Sequence, residues 1–516
     1  MWRALSILVV LTLTACGQKP ETTRPDTQAT PVAAKATAPQ LVTITTKSPQ
    51  ALAEFKTAMV ALQNGRVTDT IEELKKILQL DPDFVQAQAY LALLTPGAEG
   101  KTEVERAVAK SVGLPEAEKL LIQSLMLQKQ GDYPKAFEIA KQASAMAPDD
   151  AQLFMQVGNL ASDPLRNWAA AEKALKRATE LDPKLGVAFN SLGVLYLNQK
   201  RWDEAITAFK KYAELSPIEA NAQDSLAEAY LDVNKLNDAE TAFTKATEIL
   251  PSFWAAWMGL AQVKALKGDF KAAAEDINKG REVARRPQLK VDALFNLYLL
   301  QAAENKMAEA YKTLAQREKE GREANLPAYA YAAIDHAFLL ADSGKGAEAV
   351  KEANEGLARG EKLGLPGEDE VWVKLIGLTA RAYGEVVQKE KVEAEKTIAA
   401  IEEEAKKPSA TPWHTSNLHW AKGVLALHMG DAKVAVTELG QCIQDDSYAR
   451  LMLVKALEKA GDVTGAHVTR QKVIDNPLRD PWYLFVRGKL GSLPEPGVVP
   501  PTAAKEPAKP AARPKK

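Results

Sequence analysis

The chain has 516 residues, 46% hydrophobic and 26% charged, and its 66 Lys and Arg stand against 67 Asp and Glu for a formal net charge of -1. These near-average values exclude wholesale disorder and a membrane bundle, and the balanced charge lacks the basic field of a dedicated nucleic-acid binder. The two cysteines, Cys16 and Cys442, can build neither a disulfide framework nor a cysteine-rich zinc site within one chain.

Residues 1–16, MWRALSILVVLTLTAC, carry one basic residue and a twelve-residue apolar run over 4–15. That run suits a signal peptide, because spanning a bilayer takes about 20 apolar residues. It ends in Leu13, Thr14, Ala15, Cys16 and Gly17, which resembles the bacterial lipobox. The resemblance implies that Cys16 is lipidated and becomes the new N-terminus. Gly17 rather than Asp at the next position implies the inner leaflet of the outer membrane, facing the periplasm. An ordinary secretory signal and a buried N-terminal helix remain as alternatives. Residues 17–47, rich in Thr, Pro, Ala and Gln with no lasting period, are expected to form a disordered tether.

From 48 to 287 the chain repeats itself. Prolines at 82, 115, 148, 183, 217 and 251 are spaced by 33, 33, 35, 34 and 34 residues, and such a period marks a stack of helix-turn-helix units. Leu192, Gly193, Tyr196, Trp202, Ala205 and Phe209 stand before Pro217 at the same offsets as Leu226, Ala227, Tyr230, Leu236, Ala239 and Phe243 before Pro251. The next unit carries Leu260, Ala261, Phe270, Ala273 and Ile277. Gly193, Ala227 and Ala261, with Ala205, Ala239 and Ala273, let paired helices lie close together, and the large apolar residues fill the seam. Gly-Asp pairs at 131, 268, 430 and 461 are expected to turn the chain and cap the second helix of a pair.

This pattern resembles the tetratricopeptide repeat family, most closely over 186–287. The resemblance implies an all-α solenoid, a right-handed superhelix of helix-turn-helix units. Longer degenerate hairpins are expected over 288–412, between prolines at 287, 327, 366 and 412, and repeat-like units with a last helix capping the open end over 413–490. Residues 491–516 form a Pro-, Ala- and Lys-rich tail, read as a solubilising disordered end or as a weak contact to anionic lipid or cell-wall polymer.

Chemistry-bearing motifs are scarce. The sequence holds no HExxH, GxSxG, CxxC, SxxK or phosphate-binding GxxxxGK loop. His414, His419 and His428 are spaced so that one helix cannot turn them toward one metal, and Cys442 among apolar residues reads as an inert thiol. No metal or cofactor is implied.

What remains is the concave side that the family resemblance implies, lined by first helices. Gln152, Met155, Asn159, Asn190, Val194, Asn198, Asn221, Asp224, Glu228, Met258 and Gln262 are expected there. Amides offer donors and acceptors to an extended peptide backbone, and methionines adapt to varied apolar side chains. One branch of the family clamps a C-terminal carboxylate with Lys and Arg; these positions hold none, and Asp224 and Glu228 would repel one. The expected function is a lipid-anchored, noncatalytic scaffold binding extended partner segments in envelope assembly, secretion or polysaccharide export. An enzyme with its site in the 288–412 hairpins and a glycan-binding lipoprotein are the alternatives.

Overall fold

Apolar residues at three- and four-residue spacing, broken by Gly-Asp, Asn or Pro every twelve to twenty positions, leave each segment one stripe to bury, and each does so against the next segment. The computed structural model describes residues 39–95, 97–365, 368–407, 410–443, 445–475 and 482–492. These fold as twenty-five α-helices and a short 3-10 turn, with no strand among the described residues. The chain divides into two compact units that meet in sequence at Ala284 and Arg285.

The first unit holds seven successive pairs: α1 Pro49–Gln63 with α2 Val67–Leu80, α3 Val85–Leu94 with α4 Gly97–Lys110, α5 Glu116–Gln130 with α6 Tyr133–Met146, α7 Ala151–Ser162 with α8 Trp168–Leu181, α9 Gly186–Asn198 with α10 Trp202–Leu215, α11 Ala220–Asp232 with α12 Leu236–Ile249, and α13 Trp254–Leu266 with α14 Phe270–Val283. The expected seam residues are where the repeat needs them. Ala205, Ala239 and Ala273 are fully buried, and a Cβ on Gly193 would stand 2.5 Å from the Phe209 ring. The Gly-Asp turns also form as expected. Gly131 and Gly461 both take φ of 81°, and Asp132, Asp269, Asp431 and Asp462 each accept the amide three residues on.

The second unit contains α15 Pro287–Ala303, α16 Met307–Glu323, α17 Ala328–Asp342, α18 Gly346–Leu363, α19 Glu368–Val387, α20 Lys391–Ala405, α21 Pro412–Met429, α22 Ala432–Gly440, α23 Ser447–Ala460, α24 Val463–Asp475 and α25 Tyr483–Ser492. The stack runs on through residue 412, where α19 and α20 both pack on α21.

Two expectations need correction. The tether read as ending at 47 does not reach that far: residues 40–47 are extended and bonded to α3, α5 and the start of α7. The last helix does not simply cover the end of the stack. α25 packs on α15 and α23 as well as α24; Trp482 just ahead of it meets Tyr298, Phe338 and Tyr448, and Lys489 pairs with Asp342 of α17 at 2.7 Å. An amphipathic helix carrying Tyr483, Phe485 and Leu490 buries more apolar surface across several first helices than against one terminal pair. Cys16, the expected signal peptide, the tether up to 38 and the tail from 493 lie outside the described residues.

Candidate functional site

First helices of successive pairs touch one another as well as their own partners: α3 meets α5, α7 meets α9, and α9 and α13 meet α11. The free faces of α7, α9, α11 and α13 form one inner surface, and those of α3 and α5 another. The first unit curls tightly enough that the α1–α2 turn reaches helices three to five pairs later. Gln63 Nε2 donates to Gln152 Oε1 at 2.6 Å, Arg66 pairs with Glu219 at 3.8 Å, and the Tyr212 hydroxyl donates to Asn64 Oδ1 while accepting from Asn221 Nδ2 at 3.1 Å. Burial pushes the Tyr212 phenol well above its ordinary value, so it stays a neutral donor.

This curl sorts the expected groove residues. Asn221 and Asp224 are 3% and 1% exposed; Asn221 serves the α1–α2 contact and is not open to a partner. Met258, 2% exposed, extends its Cε into the space left by the missing side chain of Gly280 on α14. Met155 belongs to the core with Leu127, Val157 and Leu160. Both methionines therefore fill helix seams, which corrects their assignment to the groove: an apolar side chain on a half-buried helix flank gains more by packing inward than by facing water. Asn198 donates to Asp163 Oδ1 at 3.0 Å and so braces α9 on the α7–α8 turn.

Gln152 and Asn159 are exposed, while Asn190, Val194, Glu228 and Gln262 are half-buried. Gln152 is engaged by Gln63, and the other five remain along the inner surface as an accessible row. Within it, the Asn190 Oδ1 is buried and meets no donor. A desolvated amide oxygen without a partner costs about 1–3 kcal/mol, and a turn of the half-buried Asn190 side chain toward an incoming N–H would recover that. The sequence pattern gave no warning of the α1–α2 closure, because contacts over some 150 residues leave no local signal.

In the second unit the buried charge is spent internally. Arg317 of α16 donates to Asp335 of α17 at 2.6 Å, both almost wholly buried, and stacks over the Phe295 ring at 5.0 Å. Cys442 is buried with Sγ 3.5 Å from the Ser416 carbonyl, and burial pushes its thiol to about 12, as expected of an inert cysteine. The histidines go separate ways. His414 Nδ1 accepts the Thr411 amide at 2.9 Å in a capping box, His419 meets Glu438 at 2.7 Å, and His428 meets the Val424 carbonyl at 2.9 Å. Among the described residues no three His, Cys, Asp or Glu are placed to hold a metal ion, and no helix is long and apolar enough to cross a membrane.

The sequence profile of the tetratricopeptide repeat matches residues 165–220 and 225–288. Solved structures similar to the chain include MamA 41-end from Desulfovibrio magneticus RS-1, at 22% identity over 33% of this chain and 94% of that one, TM-score 0.30. PilW, described as a widely conserved type IV pilus biogenesis factor, is 19% identical over 39% and 91%, TM-score 0.35. The yeast Tom70 is 15% identical over 86% and 99%, TM-score 0.42. At these identities the likeness is one of fold. No curated protein matches the chain in sequence.

Proposed function

The chain is a tetratricopeptide-repeat protein, and from that premise we propose that it is a noncatalytic, lipid-anchored scaffold of the bacterial envelope that holds an extended segment of a partner protein along the inner face of α7, α9, α11 and α13. The observation that carries the partner groove is the buried, donorless Asn190 Oδ1, set among the accessible Asn159, Val194, Glu228 and Gln262. A peptide main chain supplies the missing N–H, while the neighbouring amides offer donors to its carbonyls. Glu228 disfavours a segment ending in a free carboxylate, so the bound stretch is internal and neutral or basic.

Substituting Asn159 and Asn190 together by Ala should weaken partner binding by about one to four orders of magnitude, at 1–3 kcal/mol for each lost amide contact. Neither side chain fills the seam of its helix pair, so the circular dichroism spectrum should be unchanged. Unchanged affinity in the folded double variant would remove this face as the binding site. Anchoring is supported by the apolar run ending in Cys16, since two or more acyl chains at about 0.8 kcal/mol per buried CH₂ hold a protein firmly. Cys16→Ala should move the protein from the membrane fraction to the soluble fraction; retention in the membrane with normal processing would contradict the anchor.

A further inference from the structure

Residues 40–48 are held through main-chain and hydroxyl groups by Gln86 of α3, Glu118 of α5, Asp81 at the end of α2, and Asp149 and Asp150 just ahead of α7. The Gln40 amide donates to Asp149 Oδ2 at 3.0 Å, and its carbonyl accepts the Asp149 amide at 3.3 Å. The Val42 amide donates to Asp150 Oδ2 at 3.0 Å, the Thr45 amide to Glu118 Oε1 at 2.9 Å and the Lys47 amide to Asp81 Oδ2 at 2.9 Å. Gln86 Nε2 donates to the Thr43 carbonyl at 3.0 Å. The Thr45 and Thr46 hydroxyls add bonds of 2.5 Å to Glu118 and Asp81. Side chains alternate as in a strand: Val42 and Ile44 pack against the cores below, and Leu41 is 57% exposed.

This is how a groove holds a ligand, not how a chain continues a fold. The segment adds to no sheet, and the groups that hold it are Glu118 and Gln86 on α5 and α3 and three carboxylates in the turns at helix ends, Asp81, Asp149 and Asp150, on elements that pair with others regardless. Glu118 is fully buried and takes the Thr45 amide, the Thr45 hydroxyl and Gln86 Nε2. When the strap leaves, Glu118 loses two of its three donors and keeps Gln86 Nε2, and an incoming segment with an N–H and a hydroxyl at that point restores both.

We propose that the inner face of α3, α5 and the start of α7 is a second peptide-binding groove, that residues 40–48 fill it as an internal ligand, and that a partner segment of the same chemistry enters by displacing them. That chemistry is an extended stretch, β-branched at alternate positions, carrying hydroxyls, with free N–H groups and no acidic side chain. Asp81, Glu118, Asp149 and Asp150 repel acidic occupants and leave unmet acceptors opposite a proline. The groove meets the face of α7 to α13 only at the N-terminal end of α7 and shares none of Asn159, Asn190, Val194 or Gln262, so either assignment can fail without the other.

The test uses the full-length chain with Val42→Pro and Thr45→Pro, which remove two of the strap's donors, and a fluorescent peptide of the sequence PQLVTITTKS. A covalently tethered strap competes at an effective concentration on the order of millimolar. The peptide should therefore bind the double-proline chain at least about tenfold more tightly than wild type, and Glu118→Gln in the opened chain should weaken it about tenfold or more. No binding to a double-proline chain of wild-type helicity, or equal binding to both, would overturn the proposal. Should the prolines unfold the protein, hydrogen exchange on the wild-type chain decides. Amides of Val42, Thr45 and Lys47 exchanging many-fold faster than the core amides of α5 support displacement, and exchange at the same rate as α5 overturns it.

Discussion

At the scale of single residues, Glu172 shows how the repeat holds its neighbours in place. It lies on α8, accepts from Arg201 at 2.9 Å and from Lys176 at 2.8 Å, and Arg201 in turn stacks over the Tyr196 ring at 4.3 Å. The Arg201 guanidinium, ahead of Lys176, holds the Glu172 carboxyl down at about 2. Because the folded value lies below the unfolded one, the stabilisation is present above pH 4.5 and is lost as pH falls toward 2. At 1.36 kcal/mol per unit, discounted for a site that water still reaches, Glu172→Gln should cost about 1–2 kcal/mol at pH 7. The difference should vanish near pH 2, as urea titrations of both proteins at the two pH values would show. Asp81 obeys the same sign. The Thr46 hydroxyl holds it below its ordinary value, so acid weakens the strap at its C-terminal end.

At the scale of elements, turns between paired helices demand a residue in the left-handed region. Gly131, Gly268, Gly430 and Gly461 supply it, but Asn234, Asn305 and Lys389 take the same conformation at φ of 57°, 62° and 65°. Asn tolerates this by local hydrogen bonding, whereas Lys has no such relief. Lys389→Gly, between α19 and α20, is expected to stabilise the second unit by about 0.5–1 kcal/mol, read as a higher urea midpoint; a lower midpoint would show that the lysine side chain outweighs its backbone strain. The turns were legible in advance because Gly followed by Asp is a local signature. The strap was not, although Val42, Ile44 and Thr46 alternate with outward residues. So short a β-branched run looks the same in a linker and in a bound strand, and what distinguishes them is Glu118 and Asp150, about 70 and 110 residues away.

At the scale of the whole molecule, the period of the prolines and the small residues at 193, 205, 227 and 239 carried the architecture, because each pair packs mainly on its sequence neighbours. The inner faces were less legible, since their state depends on curvature that no single repeat encodes. The turn at 63–66 closes part of the first unit's face, taking Asn221 out of reach, and α25 lies across first helices of the second. Asn159, Asn190, Val194 and Gln262 are left accessible, and on the proposed reading this remainder holds a partner's extended segment. Photo-crosslinking from a benzophenone side chain at position 190 in the full-length protein, with the exposed position 210 on α10 as control, reports what lies on that face. One partner polypeptide joined at 190 through a single contiguous stretch, absent at 210 and lost when Asn159 is replaced by Ala, is the predicted result. Equal adducts at both positions, or none at 190 in a folded chain that still binds its partner, would contradict it.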